Sequence, residues 1–214
     1  MNEELIKRIF SSIILIPFVL FFLIKGSLIF NFFLLTCLII AVYEWNNMSK
    51  NLIYKFLGFI FLLYSFYTVY RLRNDFNEVY EVLLLLIIIC IATDLGGYIF
   101  GKLLKGPKLT RFSPNKTYAG MIGGFILSII LSNIYLMNIF IDSQIIPNRT
   151  IIFILLVSFV SQIGDIIISY FKRLSNIKDT GKIIPGHGGL LDRVDGMIFA
   201  FPFSYIILSS KILH

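Results

Sequence analysis

Apolar residues fall in seven long runs, at roughly 9–24, 27–43, 52–70, 79–100, 118–140, 150–171 and 196–213, separated by short polar stretches. Each run approaches the ~20 residues that a helix needs to cross a ~30 Å hydrocarbon layer. In lipid a spanning segment must satisfy its own backbone hydrogen bonds, which favours helices for runs of this kind. The pattern predicts an all-α polytopic membrane protein with about seven transmembrane helices in a single membrane domain, residues 1–214. The first run is short and contains Pro17, so a tilted or incomplete span is expected there. Only Lys25-Gly26 separates it from the second, which predicts a tight helical hairpin.

Composition strengthens this picture. Hydrophobic residues make up 57% of the 214 and charged residues 14%, against about 25% charged in an ordinary soluble domain. The net charge of +7 is no sign of nucleic-acid binding, because the basic residues sit in the short segments between runs, where they set topology or meet anions. Cys37 and Cys90 lie inside apolar runs without metal-ligand spacing and read as small hydrophobes. Lys7-Arg8 followed by an apolar stretch has the outline of a signal peptide. No small-x-small cleavage site follows, and a retained first span is expected.

Charge also orients the chain. With the N-terminus in the cytoplasm and alternating spans, fourteen of the nineteen Lys and Arg residues fall on the cytoplasmic side. Segments 101–117 and 172–195 then share that cytoplasmic side, and a multi-pass protein of the cell (plasma or inner) membrane is expected, with any active site in these segments facing the cytoplasm. The motif-bearing residues belong to 90–214, and residues 1–89 supply the N-terminal spans.

Segment 101–117 holds five basic residues and no acid. A loop touching anionic headgroups explains the charge. Ser113, Pro114, Asn115, Lys116 and Thr117 add hydroxyls and an ammonium at the expected start of a helix, which is a ready anion site. Asp94 precedes this loop near the end of an apolar run. An acid there is either a snorkelling helix-end group, one paired with Lys102, or a functional carboxylate.

Residues 165–195 carry the densest chemistry. Asp165, Ser169, Lys172 and Arg173 stand at i, i+4, i+7 and i+8 and share one helix face. A carboxylate deep in a span, a hydroxyl above it and two cations at the rim suit a divalent cation carrying phosphates. A turn at Pro185-Gly186-His187-Gly188-Gly189 follows, then Asp192-Arg193 and Asp195. Its glycines let backbone N–H groups approach an anion. Asp192 either caps the last helix or joins Asp165 in holding one or two metal ions. No GxxxxGK[ST], HExxH, GxSxG or CxxC pattern occurs.

At these residues the chain resembles the phosphatidate cytidylyltransferase, or CDP-diacylglycerol synthase, family. The resemblance is carried by Ser169, Lys172-Arg173, Lys178-Asp179, Gly181, Pro185, His187-Gly188-Gly189, Asp192-Arg193 and Asp195. Ser113, Pro114, Lys116 and Thr117 match its Ser-Pro-x-Lys-Thr element, Asp94 to Tyr98 an upstream element, and Glu44-Trp45 the end of an early span. Residues 90–200 carry it strongly, and the first 80 match by hydropathy alone. Ala119 stands where the family often has Glu, and Gly196 where it often has Ser.

The resemblance implies transfer of CMP from CTP to phosphatidate, giving CDP-diacylglycerol and pyrophosphate. It implies Mg2+ on Asp165 and Asp192, with Asp179, Asp195 and Asp94 as further candidates, and room for a monovalent cation such as K+. Lys172, Arg173 and His187 join the two acids as catalytic candidates. Ser113, Lys116, Thr117, Ser169, Lys178, Gly188, Gly189 and Arg193 are the phosphate-binding ones. CTP, phosphatidate and the bilayer are the expected partners, with a homodimer and no nucleic acid. A CTP-dependent lipid kinase or a CDP-lipid synthase for another lipid would use the same chemistry. A membrane transporter is the reading from a different class.

Overall fold

The computed structural model describes residues 15–75, 80–110, 113, 116–139, 148–183 and 188–210. Its elements are helices: α1 (Leu15–Lys25), α2 (Ser27–Met48), α3 (Leu52–Asn74), α4 (Glu81–Leu104), α5 (Tyr118–Ile139), α6 (Asn148–Leu174), the single turn α7 (Leu191–Val194) and α8 (Met197–Ser209). Five of them, α2 to α6, are long and apolar enough to cross a membrane. A 22-residue helix such as α2 reaches about 33 Å at 1.5 Å per residue. The first and last of the seven expected spans correspond to the shorter apolar helices α1 and α8 among the described residues.

The helices form two compact units that interleave along the sequence. The first comprises 1–70 and 171–195, the second 71–170 and 196–214, so the divisions fall inside α3 and α6 and just before α8.

In the first unit the expected hairpin is present. Gly26 breaks the helix at φ 61°, and the rings of Phe22 and Phe33 stack with centroids 4.6 Å apart. Eleven residues of continuous helix would separate them by about 16 Å, so α1 folds back along α2. Trp45 near the end of α2 is the only tryptophan. Its indole donates to the Tyr54 carbonyl at 3.0 Å and meets the Phe171 ring edge-on. Gly58 admits that indole, since a Cβ there would lie 1.9 Å from it. Ser175 just beyond α6 donates to the Met48 carbonyl at 2.5 Å.

In the second unit α4 and α5 pack along glycines. A Cβ on Gly96 would fall 2.3 Å from the Gly123 carbonyl oxygen, and one on Gly120 would fall 2.6 Å from that of Gly97. Lipid supplies little hydrophobic drive for helix association, so close backbone contact between small residues substitutes for it. A buried hydroxyl pair, Thr93 and Ser158 at 2.7 Å, ties α4 to α6. The core of this unit gathers Leu83, Leu86, Ile89, Cys90, Ile154 and Val157. Many large apolar side chains elsewhere stay exposed, Leu28, Phe32 and Leu52 among them. Water would penalise such a surface, and acyl chains would not.

Candidate active site

The residues singled out in the sequence gather in two clusters, one in each unit. In the first unit the turn into α7 is built around two buried carboxylates. Glu44, on the last turns of α2, is 1% exposed. Its Oε1 accepts the Leu190 N–H at 2.9 Å, and its Oε2 accepts the Leu191 N–H at 2.8 Å and the Thr180 hydroxyl at 3.0 Å. Asp192, on α7, accepts the N–H groups of Thr180 at 2.7 Å and Gly189 at 2.9 Å through Oδ2. The Thr180 hydroxyl oxygen also lies 3.0 Å from that same Oδ2. Its one proton can serve only one of the two carboxylates at a time.

Asp192 Oδ1 is ion-paired with Lys172 Nζ at 2.9 Å, and both side chains are largely buried, at 5% and 12% exposure. A buried carboxylate needs both charge compensation and hydrogen bonds, and Asp192 has each. Glu44 makes no ion pair with a described residue; its described partners are two backbone N–H groups and the hydroxyl.

The glycines of the turn have definite tasks here. Gly188 sits at φ +91°, where side chains other than hydrogen are strained, and a Cβ there would lie 2.8 Å from Asp192 Oδ2. Gly189 is buried, and its Cβ would lie 2.3 Å from Thr180 Oγ1 and 2.5 Å from Glu44 Oε2. The carboxylates reach these backbone N–H groups because no Cβ intervenes. His187 and Pro185 lie outside the described residues.

In the second unit Lys116 Nζ forms an ion pair with Asp165 Oδ2, both about a quarter exposed. Ser169, one turn further along α6, donates to Asp165 Oδ1 at 3.3 Å, as the i, i+4 spacing predicts. Lys116 is held by its own loop: its N–H reaches the Ser113 carbonyl at 3.1 Å, and its carbonyl accepts the Leu109 N–H at 2.7 Å. Thr117 caps α5, its hydroxyl oxygen accepting the Gly120 N–H at 3.1 Å. The expected helix start at that threonine is therefore in place, one residue before α5.

The other candidates are more dispersed. Arg173 is exposed and donates to the Ile177 carbonyl at 3.3 Å. Lys178, Asp179 and Arg193 are exposed, Asp195 is buried, and Asp94 is exposed on α4. Among the described residues no three His, Cys, Asp or Glu side chains converge on a point that could hold a metal ion.

Sequence reasoning reached Asp165, Ser169, Lys116, Lys172, Asp192 and Gly189 but gave Glu44 no task and passed over Thr180. An acid at the end of an apolar run is itself a signal. What Glu44 binds depends on a segment 136 to 147 positions away, which no local pattern encodes.

Helices of membrane-crossing length and these lysine-paired carboxylates define a class, that of multi-pass membrane proteins with partly buried polar clusters. The comparison with known proteins then places it: the chain belongs to the cytidylyltransferase family, whose model matches residues 50–211. It is 34% identical over 191 residues to a phosphatidate cytidylyltransferase of Staphylococcus saprophyticus, spanning 86% of this chain and 69% of that one. It is 32% identical over 215 residues to a phosphatidate cytidylyltransferase of Rickettsia bellii, spanning 96% and 91%. The protein of that name from Brucella suis is 33% identical over 215 residues, spanning 96% and 75%.

Proposed function

We propose that this chain is a phosphatidate cytidylyltransferase, which joins CTP and phosphatidate to give CDP-diacylglycerol and pyrophosphate. The observation that carries this is the similarity to relatives of that name over 86% to 96% of the chain. In the reaction a phosphate oxygen of phosphatidate bonds to the α-phosphorus of CTP, and the bond to the β-phosphate bridging oxygen breaks, releasing pyrophosphate. The nucleophile is already anionic near neutral pH, so no strong base is required. The main barrier is the approach of two anions, and lowering it is a task for fixed positive charge.

The chain's own residues suit that task. Lys172, held beside Asp192, and Lys116, held beside Asp165, are ammonium groups fixed in direction by carboxylates. Each can turn to a phosphate oxygen without leaving a carboxylate uncompensated if a second cation arrives. The same two acids are the residues we assign to Mg2+. They offer the hard oxygen donors that Mg2+ takes. Asp165 has Oδ2 paired with Lys116 and Oδ1 taking the Ser169 hydroxyl. Asp192 has Oδ1 paired with Lys172, while the Thr180 and Gly189 N–H groups hold its Oδ2. When bound, Mg2+ would neutralise phosphate charge and help orient the triphosphate. Mg2+ commonly uses one or two carboxylates and completes its shell with water and substrate phosphates, so a preformed cage of three acids is not required.

Arg173, Lys178 and Arg193 are assigned to the phosphates, with Ser113, Thr117, Ser169 and the Gly188-Gly189 backbone. His187 is assigned to the phosphates from the motif alone. The Lys and Arg distribution supports a cytoplasmic site, where CTP is available, in a multi-pass protein of the cell membrane. A homodimer and a bound monovalent cation are part of the proposal on family resemblance.

The test is direct. Purified protein in lipid micelles is given labelled CTP, Mg2+ and phosphatidate, and the expected products are a labelled CDP-lipid and pyrophosphate in equal amounts. No labelled lipid with phosphatidate or with several other lipid phosphates and alcohols would reject a cytidylyltransfer role. Label appearing only with another acceptor would reassign the substrate.

A further inference from the structure

We infer that Glu44 is a positioning residue for the transfer reaction, acting through Thr180 and the 188–191 backbone to aim the carboxylate of Asp192. This rests on the proposed activity for its kinetic arm and on the geometry of the first unit for the rest.

Glu44 is 1% exposed. Burying a carboxylate in apolar surroundings is costly, and no described cation offsets the cost here, so its interactions must hold it in place. All three described partners lie on the segment that carries Asp192: Thr180 Oγ1 at 3.0 Å, Leu190 N at 2.9 Å and Leu191 N at 2.8 Å. Thr180 and Gly189, in turn, give Asp192 Oδ2 its two backbone N–H bonds. Glu44 thus fixes the groups that fix Asp192, and Thr180 touches both acids through one hydroxyl.

Close packing leaves the two carboxylates little freedom to move independently. Cβ atoms on Gly181 and Gly189 would come within 2.7 Å and 2.5 Å of Glu44 oxygens. The carboxylate therefore lies directly against the backbone of both glycines. A shorter acid at position 44 cannot span the same gap, and an apolar residue leaves the two amide N–H groups without an acceptor and the Thr180 hydroxyl with Asp192 alone.

The hydroxyl makes the linkage testable. If Glu44 acts through Thr180, removing either group disturbs Asp192 in the same way, and removing both adds little. Two residues acting independently would instead show multiplying effects.

The experiment uses the full-length protein in lipid micelles. Turnover is measured for Glu44→Gln, Glu44→Ala, Thr180→Val, Thr180→Ser and the Glu44→Ala/Thr180→Val pair. Hydrogen exchange is followed in peptides covering 176–194. Glu44→Ala and Thr180→Val are each expected to lower kcat roughly 10- to 100-fold, the usual cost of losing a group that orients a ligand side chain. The double variant should fall no more than about threefold below the worse single one. Thr180→Ser should keep near-normal turnover because the hydroxyl remains. Glu44→Gln keeps an oxygen for the amide N–H groups and should lie between wild type and Glu44→Ala. In Glu44→Ala, exchange should quicken at 188–192 while helices α2 and α3 stay protected.

Wild-type turnover in Glu44→Ala, or multiplying losses in the double variant, would overturn the role. So would unchanged exchange at 188–192. Should the wild-type protein make no product, the proposed activity fails, and the exchange measurement still decides whether Glu44 holds the turn.

Discussion

Replacing Gly189 with alanine probes the junction of the two buried acids with the smallest possible change. The added methyl would sit 2.3 Å from Thr180 Oγ1 and 2.5 Å and 2.6 Å from the two Glu44 oxygens. None of these oxygens can simply retreat. Rotating Thr180 breaks its contacts with Glu44 and Asp192, and Glu44 is tethered by the Leu190 and Leu191 N–H groups. Overpacking costs about 1–3 kcal/mol, and losing one hydrogen bond to a charged buried group adds about 1.5–3 kcal/mol. A total near 3–5 kcal/mol in a chain of this length lowers Tm on the order of 10 °C.

The assay is thermal unfolding in lipid micelles followed by the emission of Trp45, which adjoins Glu44 and belongs to the same unit. Gly97→Ala is the control, because the nearest atom to its Cβ would be the Gly120 carbonyl oxygen at an ordinary 3.8 Å. Alanine also favours helix over glycine by about 1 kcal/mol, so this variant should match or exceed wild type. A Gly189→Ala protein that melts within about 1 °C of wild type would refute the reasoning, since the oxygens would then have room that the geometry denies them.

Three further outcomes are expected. Asp165→Asn and Asp192→Asn should each reduce CDP-lipid formation by about 100-fold or more, the second also lowering stability by about 3–5 kcal/mol because it breaks the buried pair with Lys172, and near-normal rates in either would reject its assignment to the metal. Lys116→Met should depress turnover while shifting stability by less than about 1 kcal/mol, because its pair with Asp165 is about a quarter exposed; parallel rate and melting measurements separate the two effects. Gly96→Ala should destabilise the second unit by about 1–3 kcal/mol, since its Cβ would lie 2.3 Å from the Gly123 carbonyl oxygen. Reaction of a maleimide dye with buried Cys90 on heating reports that loss, and an unshifted transition would contradict the glycine contact between α4 and α5.

The run pattern located the helices because hydrophobicity over ~20 residues is a summed, local quantity that needs no knowledge of partners. Helix boundaries near Gly26 and Thr117 were legible for a similar reason, since breaking and capping are decided by one or two residues. So was the Asp165–Ser169 contact, because helical spacing alone brings i and i+4 together. The density of Lys, Arg, Asp and Gly over 165–195 and its match to a family motif point to phosphate chemistry from the sequence alone.

The sequence could not assign partners to those groups. That Lys172 faces Asp192 and Lys116 faces Asp165 depends on how loops return to helices, and charge counting treats all nineteen basic residues alike. Glu44 is the sharpest case. Its neighbours in the chain explain nothing about it, yet it takes hydrogen bonds from residues 136 to 147 positions later. Local sequence determined that these helices form and that acids and lysines stand near their ends. Tertiary structure decided which acid holds which backbone, because a buried carboxylate is tolerated only where distant N–H groups and hydroxyls converge on it.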